Sequence, residues 1–205
     1  LSKATNLLEK LKDEKVRWYS QLQEISAEVK NLPFFSLLSA SYINYLSDKD
    51  ELEREAKIGY WCKMCKGAEF NFVNFNFNES ITLKWKSEGH PSDALSIQNS
   101  VIYLKTNCTP FIIDPSTRIV AWIKKNFTSD AEKSKHFESV SIADSKFSTH
   151  FELAIRFGKT LLVEDLSDLS GMFYPMLRNE ITRIGARKVY LIGEKVVDYN
   201  EGFRL

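Results

Sequence analysis

The sequence predicts an α/β fold: a parallel sheet flanked by helices, preceded by one long amphipathic helix. Three observations carry this. Short strand-like runs occur at Phe111-Ile112-Ile113, Ser139 to Asp144 and Leu161-Leu162-Val163, and the first, an unbroken apolar run, is how a strand buried on both faces reads. Segments of helical period alternate with those runs, which is the order of a parallel sheet with crossover helices. A heptad pattern also covers residues 1–32.

The heptad segment comes first. Positions 1, 8, 15, 22 and 29 read Leu, Leu, Lys, Leu, Val, and positions 4, 11, 18, 25 and 32 read Ala, Leu, Trp, Ile, Leu. Only Lys15 interrupts the apolar seam, and Glu9, Lys10, Lys12, Asp13, Glu14, Glu24, Glu28 and Lys30 occupy the other faces. Such a helix needs a partner along its length. It is either a long helix packed on its own domain or half of an antiparallel coiled coil, and periodicity alone serves both. Asn31 to Pro33 is expected to end it. A short buried helix from Phe34 to Leu46 comes next, then Ser47-Asp48-Lys49-Asp50 as turn and cap, then a helix from Glu51 to about Lys66.

Cys62-Lys63-Met64-Cys65 matches C-x-x-C, but a zinc site needs two more ligands and only the scattered Cys108, His90, His136 and His150 remain. The spacing also falls at a helix end rather than after a strand, so packing cysteines are the reading adopted. Phe70 to Asn78 alternates Phe with Asn and reads as an extended segment whose rings lie over the core, the alternative being an exposed edge. Ser96 to Thr106 is a helix leading to the strand at Phe111. Phe147 to Phe157 and Met172 to Ile184 are helices, Thr160 to Val163 and Val189 to Lys195 strands, and Phe203-Arg204-Leu205 the beginning of another.

The central unit is strand, tight turn, helix: Phe111 to Ile113, then Asp114-Pro115-Ser116-Thr117, then a helix through Ile119, Trp122 and Ile123. In nucleotide-binding α/β proteins that turn is the loop G-x-x-x-x-G-K-[ST]. This turn has no glycine to let the backbone close on phosphate, no lysine at the motif's place, and a carboxylate that repels the ligand. Asp114 or Ser116 is instead a helix cap. Gly158-Lys159-Thr160 mimics the loop's end, but it comes after a helix and precedes a strand, the opposite of the order an anion site at a helix N-terminus needs. Leu161-Leu162-Val163-Glu164-Asp165 has the form of a Walker B strand, whose two acids hold Mg²⁺ and orient water. Without a phosphate loop, solvated acids at a strand end are the plainer reading. The residues thus name no catalytic, cofactor-binding or metal-ligating group.

Composition sets the outer bounds. The chain has 205 residues, 43% hydrophobic and 27% charged, room for one sizeable domain or one with an appendage. A net charge of +1 offers no field for nucleic acid, and no apolar run is long enough to span a bilayer. Three cysteines suggest a reducing compartment rather than a disulfide framework. The chain opens on Leu1 without a signal-peptide pattern, as an excised piece would.

Taken in order, these residues resemble the dynein heavy chain of the axonemal type, at the end of its stalk and the start of its fifth AAA+ module. Glu14-Lys15-Val16-Arg17-Trp18 is similar to an E-K-x-R-W element near the base of the second stalk helix. Leu37-Leu38-Ser39-Ala40 with Tyr42 to Leu46 is similar to the family's next stretch. Trp85 and Glu88-Gly89-His90-Pro91-Ser92-Asp93, with Ser96 and Asn99, resemble W-x-x-x-G-L-P-x-D-x-x-S-x-x-N, with His90 where the family has Leu. Ile112-Ile113-Asp114-Pro115 and Trp122-Ile123 resemble I-D-P-Q-x-Q-A-x-x-W-I, with Ser116 where the family has Gln. Asp198-Tyr199-Asn200 and Phe203-Arg204-Leu205 continue the match.

The resemblance implies a P-loop-NTPase-like AAA+ sheet with a degenerate nucleotide site: a Walker A position at Asp114, Pro115, Ser116 and Thr117, and a Walker B-like pair at Glu164 and Asp165. It implies a stalk helix at 1–32, a connecting segment at 33–95, and an AAA+ core at 96–205 that is incomplete at its end. The expected role is mechanical: this module, itself no enzyme and holding no cofactor, transmits change between ring and stalk while ATP and Mg²⁺ act in other modules. Expected partners are those modules, the other stalk helix, a microtubule through the stalk tip, and intermediate and light chains, with no nucleic acid and no membrane. The expected place is the cytoplasm and the axoneme of a cilium or flagellum. Two rivals remain: a nucleotide-binding ATPase module using Glu164 and Asp165, and a helical scaffold binding partners through residues 1–32.

Overall fold

The computed structural model describes residues 2–64 and 69–205, and side chains of the first helix from residue 11 onward, residue 13 apart. Two compact units emerge, Leu1–Thr82 with Asp93–Ile102, and Leu83–Ser92 with Tyr103–Leu205.

The first unit is helical. Helix α1 runs Ser2–Tyr45, α2 Glu51–Met64, α3 Phe72–Asn76, α4 Glu79–Ser87 and α5 Ala94–Lys105, the last two passing into the second unit. The break expected at Asn31 to Pro33 does not occur, because α1 continues through Pro33. Proline removes one backbone donor, and the turns on either side keep the helix in phase. The consequence is a helix with two kinds of apolar residue. Leu38 and Tyr42 are buried, as is Leu46 just past its end, whereas Leu11, Trp18, Leu22, Ile25, Val29 and Leu32 of the heptad seam are all about half exposed or more.

Phe70 to Asn78 is not extended. Asn71 accepts from the amide of Asn74 and caps the short helix α3. Asx capping overrides the alternation that suggested a strand. Its rings still pack: Phe72 stacks on Tyr42 at 3.8 Å between centroids, and Phe35, Phe70 and Phe75 form a tilted cluster. Ser39 and Asn76 join α1 to α3 by hydrogen bonding.

The second unit is α/β. Helix α6 is Arg118–Thr128, α7 Ala131–Lys135, and β1 Phe137–Ser141. Then come α8 at Phe147–Phe157 and β2 at Thr160–Glu164. Strands β1 and β2 are parallel, with Phe137 opposite Thr160 and Ser141 opposite Glu164. The crossover α8 lies between them in sequence, as a parallel pair requires. Gly158 ends α8 at φ 68°, where a Cβ would meet Asn200 Oδ1 at 2.5 Å, so Gly158-Lys159-Thr160 is a helix stop leading into a strand. Arg204 makes a parallel bridge to Thr160, continuing the sheet on its other side.

Two elements differ from expectation. Phe111 to Ile113 belongs to no strand, and Phe111 and Ile113 are 66% and 84% exposed. A run buried on both faces needs ladder partners, and the described residues place none beside it. The helix expected over Met172 to Ile184 is only a 3₁₀ turn, Gly171–Phe173, and α9, Tyr174–Leu177. Asn179 in the left-handed region, φ 54°, stops it. Beyond it the chain forms an antiparallel meander, β3 Thr182–Ile184, β4 Arg187–Ile192 and β5 Lys195–Asp198. The core of this unit packs Phe147, Phe151 and Ile155 of α8 against Leu161, Phe173, Tyr190, Val197 and Phe203.

Candidate functional site

The site predicted from sequence is the turn before α6 and the end of β2. Asp114 is the organising residue of the turn. Its Oδ2 accepts from the amides of Ile119 at 2.8 Å and Val120 at 3.0 Å, and Oδ1 accepts from the Ser116 hydroxyl at 2.8 Å. These are the otherwise unpaired amides of the first turn of α6, held at the positive end of its dipole. Burial alone would raise the Asp114 pKa. The bonds from Val120, Ser116 and Ile119 outweigh it and hold the carboxyl below its ordinary value. Thr117 adopts φ 59° and its side chain makes no cap, so the cap is Asp114, three residues upstream.

Glu164 ends β2 and is also engaged. Lys124 of α6 places Nζ 2.7 Å from its carboxylate, and the Ser139 hydroxyl of β1 donates to it. Burial opposes ionisation here too, but the Lys124 and Ser139 bonds hold the Glu164 carboxyl below its usual range. Asp165 is exposed at φ 57°. Helix α6 therefore serves both halves of the predicted site: Asp114 caps it and it supplies Lys124. A backbone that cradles phosphate needs free amides at a helix start, and here an internal carboxylate fills them. A Walker B acid needs a metal or water, and here an internal ammonium neutralises it.

Sequence reasoning missed Lys124. It stands directly after the buried pair Trp122 and Ile123, and nothing in its spacing tells it from the exposed lysines around it. It also missed the carboxylate Glu138 of β1, which accepts from Lys159 at 2.7 Å and contacts His150 Nδ1. As with Glu164, burial is outweighed by these partners and the Glu138 carboxyl is held below its usual range. Cys65 lies outside the described residues, so the C-x-x-C spacing has no geometry to report. Among the described residues no group of three His, Cys, Asp or Glu could hold a metal, and no helix is long and apolar enough to cross a membrane. A cavity of about 390 Å³ beside Arg54 lies in the first unit and contains none of the predicted site residues.

Residues 83–205 match the family described as the ATP-binding dynein motor region. The chain belongs to the dynein motor family. It is 42% identical over its whole length to cytoplasmic dynein 2 heavy chain 1 of Chlamydomonas reinhardtii, of which it covers 5%. It is 40% identical over 97% of its length to the mouse protein of the same name, and 30% identical over 98% of its length to mouse dynein axonemal heavy chain 5, covering 4% of each. The chain thus spans about one-twentieth of the length of these relatives. Its fold is that of an AAA+ dynein module, α/β with a small parallel sheet, joined to a long helix. The family's description speaks of ATP binding; within the matched residues of this dynein segment, Asp114 bonds the first-turn amides of α6 and Lys124 pairs with Glu164.

Proposed function

We propose that this segment is a structural, non-catalytic module of a dynein microtubule motor, passing conformational change between a ring of AAA+ modules and the stalk. The observation that carries the reading is the self-filled site: Asp114 on the amides of α6, and Lys124 on Glu164. A module in this condition gains nothing from nucleotide, so its states follow its neighbours. The exposed seam of α1 supports the coupling half of the proposal, since Leu11, Trp18, Leu22, Ile25, Val29 and Leu32 form a stripe that a second, antiparallel helix would cover. Heptad seams have discrete alternative registers, and a two-register helix pair is a bistable carrier of a signal.

In this reading the other AAA+ modules of the same heavy chain bind and hydrolyse ATP, the stalk tip meets the microtubule, and intermediate and light chains complete the motor. The place of action is the cytoskeleton of a cilium or flagellum and the cytoplasm. The test is titration of the folded chain with ATP and ADP in Mg²⁺ by calorimetry, with the fold verified by circular dichroism. No heat of binding is expected. Saturable micromolar binding abolished by changing Glu164 and Asp165 would make this a nucleotide-holding module and overturn the proposal.

A further inference from the structure

The C-terminal end of α1 is closed in an unusual way. A helix end leaves carbonyls without intrahelical partners, commonly satisfied by a glycine turn. Here α2 brings Arg54 onto the carbonyls of the turn that directly follows α1. Its Nε donates to the Leu46 carbonyl at 2.9 Å and its Nη2 to the Ser47 carbonyl at 3.0 Å. The same guanidinium reaches α5, with Nη2 donating to Asn99 Oδ1 at 2.7 Å and Nη1 to Gln98 Oε1 at 3.2 Å. Gln98 Oε1 also accepts from the Tyr42 hydroxyl at 2.7 Å, so α1 and α5 share one acceptor. The Tyr42 ring lies 5.7 Å from the guanidinium carbon and stacks on Phe72.

Arg54 is only 2% exposed. A buried guanidinium ordinarily pairs with a carboxylate, yet these four acceptors are all neutral. The carboxylates that flank Arg54 along α2, Glu51, Glu53 and Glu55, are exposed. The compensating charge is the negative end of the α1 dipole, supplemented by the Tyr42 ring. Pulling α1 away from α2 would strand a buried cation, so the three helix segments move together. The joint is rigid because a guanidinium is a planar fork with donors in fixed directions, which a lysine ammonium cannot reproduce.

We propose that Arg54 is the pin that fastens the base of the long helix to α5, so that a displacement of α1 is delivered to α5. The inference rests on the coupling role proposed above and assigns it to one residue. Arg54 acts as a positioning residue, since it works through the segments it joins, the Leu46–Ser47 turn and α5.

The experiment uses the full-length heavy chain containing this segment, in three variants. Arg54→Lys keeps the charge and loses the fork. Gln98→Met with Asn99→Ala frees α5 while leaving Arg54 on the Leu46 and Ser47 carbonyls. Ile25→Asp breaks the exposed seam and interrogates the coupling role itself. Microtubule affinity is measured with and without ATP, alongside basal ATPase and thermal melting. For Arg54→Lys and for the double variant, basal ATPase is expected to stay within about twofold while the ATP-induced change in microtubule affinity shrinks at least about fivefold, the lower end of ordinary coupling between sites. Should Arg54→Lys fail to fold, the double variant decides. Either variant melting normally and switching affinity as the unaltered motor does would overturn the pin. If Ile25→Asp abolishes switching in that same experiment, the pin alone fails; if Ile25→Asp also switches normally, the coupling role fails with it.

Discussion

At the residue scale, the chemistry of this chain is a matter of charges that have found partners inside it. Asp114 and Glu164 ionise more readily than ordinary carboxyls, whose values are 3.8 and 4.5. A carboxyl with a depressed folded-state pKa contributes stability that is complete above its unfolded value and is lost as pH falls through the folded one. Urea unfolding should therefore show stability declining in acid from about pH 5 downward. Asp114→Asn and Glu164→Gln should each flatten that decline, because each removes a group that must take up a proton. A slope unchanged by both would mean that neither hydrogen-bonded carboxylate stabilises the fold. Asp114→Ala removes the cap of α6 as well, and should cost about 1 kcal/mol at neutral pH. Trp122 makes a different case: it is buried edge-on to His90, and its indole N–H lacks a hydrogen-bond partner among the described residues. Trp122→Ala should cost about 3–5 kcal/mol through the cavity it leaves. Trp122→Phe should cost far less, since the donor it removes was satisfying nothing.

At the element scale, α1 carries two opposite expectations along one helix. Leu38 and Tyr42 are buried in the first unit, whereas Leu22 and Ile25 are more than half exposed. Leu38→Ala should destabilise the chain by about 2–5 kcal/mol, and Ile25→Ala should stay within about 0.5 kcal/mol, by urea denaturation. Ile25→Ala costing as much as Leu38→Ala would mean the seam is already covered in the isolated chain. The sequence announced this helix clearly, because heptads repeat over many turns and each repeat reinforces the last. It misplaced the end, because Pro33 is a local signal that continuity on both sides overrules. The short elements were harder still. α8 and β2 were legible from their apolar spacing and from Gly158, and β4 from the run beginning at Val189, while α3 hid behind alternating Phe and Asn, and β3 hid behind a helical-looking stretch stopped by Asn179. Phe111 to Ile113 shows the same limit from the other side: apolarity specifies that a strand can be buried, and only a neighbour's backbone makes it one. The turn itself was legible by what it lacked, glycine and lysine. Lys124 and Arg54 were not, although Arg54 leaves a trace, since it shares the inward stripe of α2 with Ile58 and Trp61.

At the scale of the whole molecule, the question is whether anything outside the chain sets its state. A ligand that binds the folded form alone stabilises it by RT ln(1 + [L]/Kd), about 2.7 kcal/mol at a hundredfold excess over Kd. A module with an open phosphate cradle should therefore melt measurably higher in Mg-ATP. Here the first-turn amides of α6 are bonded to Asp114 and the β2 acid is bonded to Lys124, so nucleotide would have to displace an internal carboxylate and an internal ammonium before gaining a contact. The expected melting curve is the same with and without millimolar Mg-ATP. The instructive variant is Asp114→Gly with Lys124→Ala, which empties both positions without adding a phosphate loop. It should melt lower than the parent, through loss of the cap and the ion pair. Its melting point should rise with inorganic phosphate more than the parent's does, since the amides of Ile119 and Val120 are then exposed at a helix start. A parent chain that already responds to phosphate or Mg-ATP as strongly as this variant would show that Asp114 does not occupy the anion position, and the structural role would lose the observation on which it stands.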